Sequence, residues 1–312
     1  MAKDAENLVL IVNPRAGAGR AARRLPELIA ALERHGARVD ARSTQAPGHA
    51  TELVREALQE GAPGVAVVGG DGTLSEALNG FFTRDGAPVS EGAWLGPLPC
   101  GTGGDFRKTV EIPNEVEAMA ARLMSAAPRR FDVGWLEYAD HEGRPAARAF
   151  LNVASFGLGG SVDRIVNESP KWMGGRLAFF LGTLRAMAGY RNRRVRVTVD
   201  DQPPREASVL NLAVANGQFF GGGMHIAPEA RVDDGLFDVV GIEREGLVGN
   251  LTLARHLYGG TLLGQPGVSF ARGARVVAEP LGDVPVLLDV DGEAPGALPA
   301  TFTLRPRAVR LR

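Results

Sequence analysis

The chain has 312 residues, 45% of them hydrophobic, which is enough for a sizeable core and for about two domains. Its formal net charge of −1 provides no global field that would favour nucleic acid or a strongly acidic partner. The single cysteine, Cys100, excludes an intramolecular disulfide and is typical of a reducing compartment. The apolar run at residues 8–12 is too short for a signal-peptide core or a transmembrane segment, so we expect a soluble cytoplasmic protein.

Strands alternate with helices over residues 1–130. Apolar runs predict strands at residues 8–12, 38–43, 64–68 and 93–97, and amphipathic spacing predicts helices at residues 20–35, 50–59 and 73–80. Glycine-rich segments follow three of the strands, at residues 15–20, 69–73 and 99–106. Because the carboxyl ends of parallel strands meet at one edge, this order predicts an open parallel sheet that binds a ligand along that edge.

The central glycine-rich segment is the sequence Gly69, Gly70, Asp71, Gly72 and Thr73. It follows a buried strand and precedes a helix for which Thr73 and Glu76 have the spacing of a capping box. Backbone N–H groups at such a corner, together with the helix dipole, favour phosphates. A carboxylate at Asp71 is compatible with phosphates if a divalent cation lies between them. The alternative interpretation is that Asp71 and Gly72 only form a tight turn.

The second half of the chain is rich in strands. Alternating or continuous apolar residues predict strands at residues 131–138, 148–154, 193–200, 207–215, 235–242, 275–278 and 284–290, and these indicate a β-sandwich or distorted barrel. A strongly apolar helix with basic neighbours is predicted at residues 171–190. It is either a core helix with a solvated basic edge or a helix that contacts a membrane surface or an acyl chain.

Two segments of the second half place acids around an Asp-Gly turn, at residues 231–238 and 288–293. A β-hairpin explains either segment without any chemistry. In the second, Asp289, Asp291 and Glu293 alternate, which predicts that they point to one face of an extended segment and raise one another's proton affinity. One of them is then a candidate general base, whereas the first segment could supply oxygen ligands to a hard cation.

Taken together, these motifs resemble the diacylglycerol kinase catalytic family, particularly the bacterial soluble lipid kinases related to sphingosine and ceramide kinases. The Gly-Gly-Asp-Gly element alone is shared with NAD kinases, and the later blocks single out the lipid kinases. In chain order the matching blocks are Asn13-Pro14, Gly69 to Thr73, Gly101 to Phe106, Phe156-Gly157, Asn216-Gly217 with Gly221 to Gly223, Asp233 to Leu236, and Asp291 to Glu293.

The resemblance implies an NAD kinase/diacylglycerol kinase-like fold of two domains with ATP in the cleft between them. Residues 1–130 would form an α/β nucleotide-binding domain with an open, mostly parallel sheet. Residues 131–300 would form a β-rich sandwich that takes the lipid substrate. The segment 301–312 would return to the first domain.

The resemblance also assigns roles to individual residues. It makes Glu293 the proton acceptor for the lipid hydroxyl, supported by Asp291. It implies a structural Mg²⁺ held by Asp234 and by the backbone oxygens of Arg231 and Leu236. The implied nucleotide contacts are Asn13, Thr44, Gly69, Gly70, Asp71, Gly72, Thr73, Gly101 and Thr102.

The expected function is transfer of the γ-phosphoryl group of ATP, with Mg²⁺, to the hydroxyl of diacylglycerol or a related lipid. The protein would be peripheral and would meet the lipid at a membrane surface. The sequence leaves open whether the chain forms a homodimer. One alternative is a kinase for a soluble acceptor, as NAD kinases are. Another is a catalytically weakened nucleotide-binding regulator, because Gly104 stands where the family usually has asparagine.

Overall fold

The computed structural model describes residues 6–101, 103–160, 190–243, 253 and 255–312. The chain divides into two compact units, one of Met1–Phe131 with Arg307–Arg312 and the other of Asp132–Pro306. Thr102 lies outside the described residues. So does the helix predicted at residues 171–190, of which only Tyr190 is described. No helix within the described ranges combines the length and apolar character needed to cross a bilayer.

The first unit is built on four parallel strands in the order β2-β1-β3-β4. Val12 lies opposite both Ser43 and Val68, so the carboxyl ends of neighbouring strands are level with one another. Every residue of β3 is buried, as expected of a parallel strand covered on both faces. The strands are β1 Glu6–Val12, β2 Ala37–Ser43, β3 Gly64–Gly69 and β4 Trp94–Pro99.

Helices cover both faces of this sheet. The helices α1 and α5 share a core with Leu10, Val12 and Val68, whereas α2 and α3 pack on one another, with Thr51 donating a hydrogen bond to the Glu76 carbonyl (2.7 Å). The predicted open parallel sheet is therefore confirmed. The helices are α1 Ala16–Arg34, α2 His49–Gln59, α3 Asp71–Gly80, α4 Asp105–Thr109 and α5 Val116–Ser125, with left-handed backbone at residues 17–19 inside the bounds of α1.

The predicted capping box at α3 is wrong. The helix begins at Asp71, two residues earlier than expected, and Gly70 in an extended conformation occupies the N-cap position. Thr73 therefore lies inside the first turn, where its hydroxyl accepts a hydrogen bond from Asn13 (2.9 Å). The Glu76 carboxylate accepts the backbone N–H of Ala50 (3.3 Å) and not an N–H of its own helix start.

The second unit is a β-sandwich. One sheet is antiparallel in the order β14-β13-β10-β7-β16, and it faces a second set of strands formed by β5, β6, β8, β9, β15 and β17. Phe156 of the first sheet stacks on Phe302 of the second (6.2 Å between ring centroids), and Phe150 stacks on Phe237 (5.7 Å). Burial of these rings explains why the two sheets associate and confirms the predicted sandwich.

The strands of this unit differ in detail from the prediction. The predicted strands 148–154 and 207–215 are each two strands, divided at residues 151–152 and at Leu210. The strands are β5 Arg129–Asp140, β6 Pro145–Phe150, β7 Val153–Gly157, β8 Arg193–Val199, β9 Arg205–Val209, β10 Asn211–Ala215, β11 Phe219–Phe220, β12 Met224–His225, β13 Phe237–Ile242, β14 Val268–Gly273, β15 Arg275–Pro280, β16 Leu288–Val290 and β17 Gly296–Leu311.

Candidate active site

The loops that follow β1, β2, β3 and β4 lie along one edge of the parallel sheet. The N–H of Asn13 donates to the Val68 carbonyl (2.9 Å), and the N–H of Thr44 donates to the Val12 carbonyl (2.8 Å). The Asn13 side chain also reaches Thr73 in the first turn of α3. The structure therefore brings together three predicted nucleotide contacts, from three different loops, around the glycine corner.

Glycine backbone of the loop after β4 lies directly against this corner. A Cβ atom added to Gly101 would lie 2.6 Å from the Gly70 Cα, so a side chain at residue 101 would displace the corner. The N–H of Gly101 donates to the Gly69 carbonyl (3.1 Å). Close approach of two glycines leaves peptide N–H groups with no side chain over them, which is the arrangement that phosphate-binding loops use.

Asp71 holds the start of α4 onto the corner. Its carboxylate accepts the backbone N–H of Asp105 (3.0 Å) and that of Phe106 (3.4 Å). Burial raises the pKa of the Asp71 carboxyl, and these hydrogen bonds oppose that rise. In this structure Asp71 is therefore an anchor for the glycine loop, in addition to the cation-steering role that the sequence suggests.

Arg20 is a contact that the sequence did not single out. Its Nε donates to the Cys100 carbonyl (3.2 Å), and its guanidinium also donates to the Gly101 carbonyl. It therefore joins the first glycine-rich segment to the loop after β4. The only signal in the sequence is that Arg20 directly follows the glycines at residues 17 and 19.

A shallow pocket lies beside the corner in the first unit. Asp71 and Arg107 are its charged lining residues, and the rest of the wall is mainly apolar. The apolar side chains are Val67, Leu74, Pro97, Leu98, Pro99, Phe106 and Ile112. A largely apolar wall with a few polar groups at one side is typical of a small-molecule site.

In the second unit, residues 290–293 form a hairpin turn with a two-residue loop, Asp291 and Gly292. Val290 and Glu293 exchange backbone hydrogen bonds of 2.8 and 3.1 Å, and both central residues have positive φ, +52° at Asp291 and +86° at Gly292. This is the geometry of a type I′ turn. The expectation that the alternating acids share one face of an extended segment is therefore wrong, because the chain reverses direction between them.

Asp291 is enclosed by backbone donors. Its carboxylate accepts hydrogen bonds from the backbone N–H groups of Leu151, Asn152 and Val153, each at a distance of 3.1 Å. Burial raises the pKa of the Asp291 carboxyl to about 6, while these N–H groups and the charge of Arg148 oppose the rise. The cause is thus desolvation and not mutual repulsion of clustered acids, and Asp291 acts as the anchor of the turn.

Glu293 presents the more accessible carboxylate of the turn. Its side chain is 37% exposed, and its Oε2 lies 2.8 Å from the guanidinium of Arg148. Asp289 is buried and accepts the N–H of Gly292 (3.0 Å). Of the three acids, Glu293 is therefore placed to meet a substrate, and Arg148 is a partner that sequence reasoning missed.

The acidic segment at residues 231–238 is tied to β14. Arg272 lies directly opposite Asp238 in the antiparallel register, and its guanidinium pairs with Asp238 (2.8 Å) and with Asp234. The other oxygen of Asp234 accepts the N–H of Leu236 (3.1 Å). Arg231 lies 3.5 Å from Asp233.

These residues fit a hard cation in their donor chemistry. One carboxylate, from Asp234, and the backbone carbonyls of Arg231 and Leu236 are the oxygen ligands that Mg²⁺ prefers. Asp238 Oδ2 is fully buried and has no hydrogen-bond partner within the described ranges, so this cluster can accept a further donor or cation. Among the described residues no group of three or more His, Cys, Asp or Glu side chains forms a metal site.

Comparisons with known proteins agree with this architecture. The model of the diacylglycerol kinase catalytic domain matches residues 7–136, and the model of the YegS C-terminal NAD kinase beta sandwich-like domain matches residues 152–312. A crystal structure of a diacylglycerol kinase from Bacillus anthracis, 20% identical, superposes with a TM-score of 0.70 and covers 99% of this chain and 97% of that one. At that identity the superposition shows the fold.

Curated relatives extend over nearly the whole chain. The diacylglycerol kinase of Staphylococcus carnosus is 28% identical over 296 residues, which are 94% of this chain and 90% of that protein. The diacylglycerol kinase of Staphylococcus saprophyticus is 27% identical over 300 residues, with the same two coverages. This chain belongs to the diacylglycerol kinase family, and it is a phosphotransferase of the class that uses an alcohol group as acceptor.

Proposed function

We propose that this chain is an ATP-dependent lipid kinase that phosphorylates the hydroxyl of diacylglycerol or a related lipid. The observation that carries the proposal is the turn at residues 290–293, which ties the Asp291 carboxylate to three backbone N–H groups and leaves the Glu293 carboxylate accessible. A pure nucleotide-binding module has no use for such a carboxylate. The two Staphylococcus relatives, both diacylglycerol kinases by name, support the choice of lipid acceptor.

ATP binds at the edge of the parallel sheet in this proposal. The N–H groups of the glycine corner, with the start of α3, face the phosphates, and Asn13 and Thr73 shape the corner. Thr44 directly follows the neighbouring strand β2 and contributes from the same edge.

The transfer is a balanced in-line displacement. The lipid hydroxyl oxygen forms the new bond to the γ-phosphorus, the bridging β–γ bond breaks, and ADP leaves with that electron pair. Glu293 accepts the hydroxyl proton, so no positive charge builds up on the attacking oxygen as the new bond forms. Asp291 keeps the turn in place while this occurs.

Magnesium has two places in the proposal. Bound with ATP, it neutralises phosphate charge, which is the chemistry a divalent cation supplies in phosphoryl transfer. Arg231, Asp234 and Leu236 would hold a second, structural ion through oxygen ligands. The residues of this chain then bind ATP, orient the reacting groups and accept the hydroxyl proton.

The protein meets its lipid as a peripheral protein at a membrane surface. Diacylglycerol resides in a bilayer, and exposed apolar side chains are needed to take it from there. Tyr258 and Phe270 of the second unit are exposed large apolar side chains of this kind.

The test is incubation of the pure protein with γ-labelled ATP, Mg²⁺ and, in separate reactions, diacylglycerol, ceramide and sphingosine in mixed micelles, and NAD in solution. The product is identified by chromatography. Label in a lipid phosphate supports the proposal, and label in NAD alone, or in none of the acceptors, overturns it.

A matched pair of variants tests the role of Glu293. We expect E293Q to lower kcat by about 10²- to 10⁴-fold, the range for loss of a general base, with little change in ATP binding. Glu279, another acid paired with an arginine (Arg196, 3.7 Å), is half-exposed on β15, and E279Q serves as the control with unchanged kcat. Full activity of E293Q would show that the assignment of the base is wrong.

A further inference from the structure

Arg148 lies on the apolar face of the β5–β6 hairpin. In the antiparallel register it stands opposite Leu136, and Phe150, two residues along the same strand, shares its face. Leu136 and Phe150 are fully buried in the core of the second unit. The Arg148 side chain is only 15% exposed, so a charged group has been placed where the pattern of the strand predicts an apolar one.

A guanidinium in such a position is unfavourable unless a counter-charge compensates it. Arg148 meets that requirement through Glu293, whose Oε2 lies 2.8 Å away. The pair joins β6 to the turn that carries the proposed base. Replacing Arg148 with an apolar residue would satisfy the core equally well, so packing alone does not explain its presence.

The same hairpin holds the segment after Glu293 at two more points. His141, in the turn between β5 and β6, has its Nε2 2.8 Å from the Ala294 carbonyl oxygen. A Cβ atom added to Gly296 would lie 2.0 Å from the Ala139 carbonyl oxygen, so the two backbones are in direct contact. These contacts hold the backbone beside Glu293 in place. The ion pair with Arg148 holds the Glu293 side-chain carboxylate.

Other titratable groups surround the pair. Tyr138 and Asp140 come from β5, His141 from the hairpin turn and Asp291 from the turn of Glu293 itself. Burial raises the pKa of the Tyr138 phenol; the charge of Arg148 opposes the rise, whereas those of Asp140 and Glu293 add to it. Arg148 also lowers the pKa of Asp291 against the effect of burial. The positive charge of Arg148 therefore lowers the pKa values of both Tyr138 and Asp291, against the effect of burial.

We propose that Arg148 is a positioning residue for the phosphoryl transfer: its guanidinium holds the Glu293 carboxylate in the orientation in which it accepts the hydroxyl proton. This inference rests on the function proposed above. The proton moves from the lipid hydroxyl to a Glu293 oxygen, and Arg148 remains protonated throughout. Glu293 accepts the proton, whereas Arg148 acts only by holding the Glu293 carboxylate.

The experiment compares R148Q, R148K and a control variant, R144Q. Arg144 lies on the same hairpin, is mostly exposed, and pairs with Asp140 (2.9 Å) and Glu142 (2.7 Å). We expect R148Q to lower kcat by about 10- to 100-fold with little change in the KM for ATP, and R148K to recover most of the loss. R144Q is expected to match the wild type.

The kinetic constants and the rescue by lysine separate positioning from a merely structural role. Loss of positioning lowers kcat in R148Q, leaves the KM for ATP in place and is largely recovered in R148K, whereas loss of structure lowers the melting temperature and raises the KM for ATP. A double variant, E293Q/R148Q, should be no slower than E293Q alone, because the two residues act as a unit.

The outcomes distinguish the inference from the proposed function. Unchanged kcat in R148Q, with an active wild type and an inactive E293Q, would overturn the role of Arg148 alone. A lower melting temperature of R148Q with a raised KM for ATP and no recovery in R148K would also overturn it, in favour of a structural role. A wild type that labels no lipid would instead overturn the proposed function.

Discussion

The side-chain amide of Asn13 donates a hydrogen bond to the hydroxyl of Thr73 across 2.9 Å, although sixty residues separate them in the chain. The bond joins the loop after β1 to the first turn of α3. Thr73 is buried, so its hydroxyl has little access to water as an alternative partner. The contact therefore sets how the first loop meets the glycine corner.

We expect T73V to raise the KM for ATP several-fold while leaving kcat within a factor of a few. Valine keeps the shape of threonine but leaves the Asn13 amide without its acceptor, at a cost of about 1 kcal/mol in the free energy of unfolding. Steady-state kinetics and urea unfolding measure the two effects. Thr83, at the other end of α3, provides the control T83V, and equal KM values for both variants would contradict the prediction.

Asp71 can be tested as an anchor by comparing two substitutions. D71N keeps one oxygen that can accept the N–H of Asp105, whereas D71A leaves two backbone donors without a partner. We therefore expect D71A to lose about 2 kcal/mol more stability than D71N, measured by urea unfolding, and to have the higher KM for ATP. Equal loss of activity in both, with equal stability, would favour the cation-steering role.

Some features of the fold could be predicted from the sequence because they are local. Continuous apolar runs identified β1 and β3, and the glycine loops marked the binding edge of the sheet. The long strand β17 was missed because Pro299 and Pro306 interrupt its pattern, and proline argues against a strand interior.

The candidate site was predictable only as far as its motifs are local. The capping box failed because Asn13, distant in sequence, takes the Thr73 hydroxyl. No feature of the sequence marked Arg148. Its role depends on the ion pair with Glu293, and no spacing rule predicts a pair between these two distant residues. Contacts between distant segments decide which side chain of a motif is anchored and which stays accessible.

Asp291 should make stability depend on pH between its two pKa values. Its carboxyl has an ordinary pKa of 3.8 and a pKa of about 6 in the folded protein, so folding favours the protonated form. Its contribution is fully present below pH 4 and is lost as the pH rises through 6, by up to about 3 kcal/mol. Urea unfolding between pH 4 and 7 should show this slope in the difference between wild type and D291N. A difference that does not vary with pH would contradict it.

Removal of magnesium tests the structural ion without any activity assay. If Arg231, Asp234 and Leu236 hold Mg²⁺, the nucleotide-free protein should melt at a lower temperature in EDTA than in excess Mg²⁺, because a ligand that binds the folded state stabilises it. D234N should lose that difference, and D201N, on an exposed turn, should keep it. An identical melting temperature with and without Mg²⁺ would mean that Arg272 alone balances the charge of Asp234.

Gly104 offers a test of the departure from the family pattern. It occupies the N-cap of α4 with a left-handed backbone (φ +66°, ψ +45°), a conformation that asparagine tolerates better than most other residues with a side chain. A Cβ atom there would lie 3.3 Å from Nε of Arg107, the mobile part of a long side chain that can move aside. The position therefore accepts asparagine without rebuilding the loop.

We expect G104N to fold as stably as the wild type within about 1 kcal/mol and to lower the KM for ATP, because the amide restores a hydrogen-bonding group close to the phosphates. G104A is the control: it carries the left-handed strain without the amide, so it should lose about 1 kcal/mol and gain no affinity. Urea unfolding and steady-state kinetics measure both. If G104N leaves the KM for ATP unchanged while G104A behaves as expected, the loop of this chain positions its nucleotide through backbone N–H groups alone, and glycine at residue 104 is no sign of weakened catalysis.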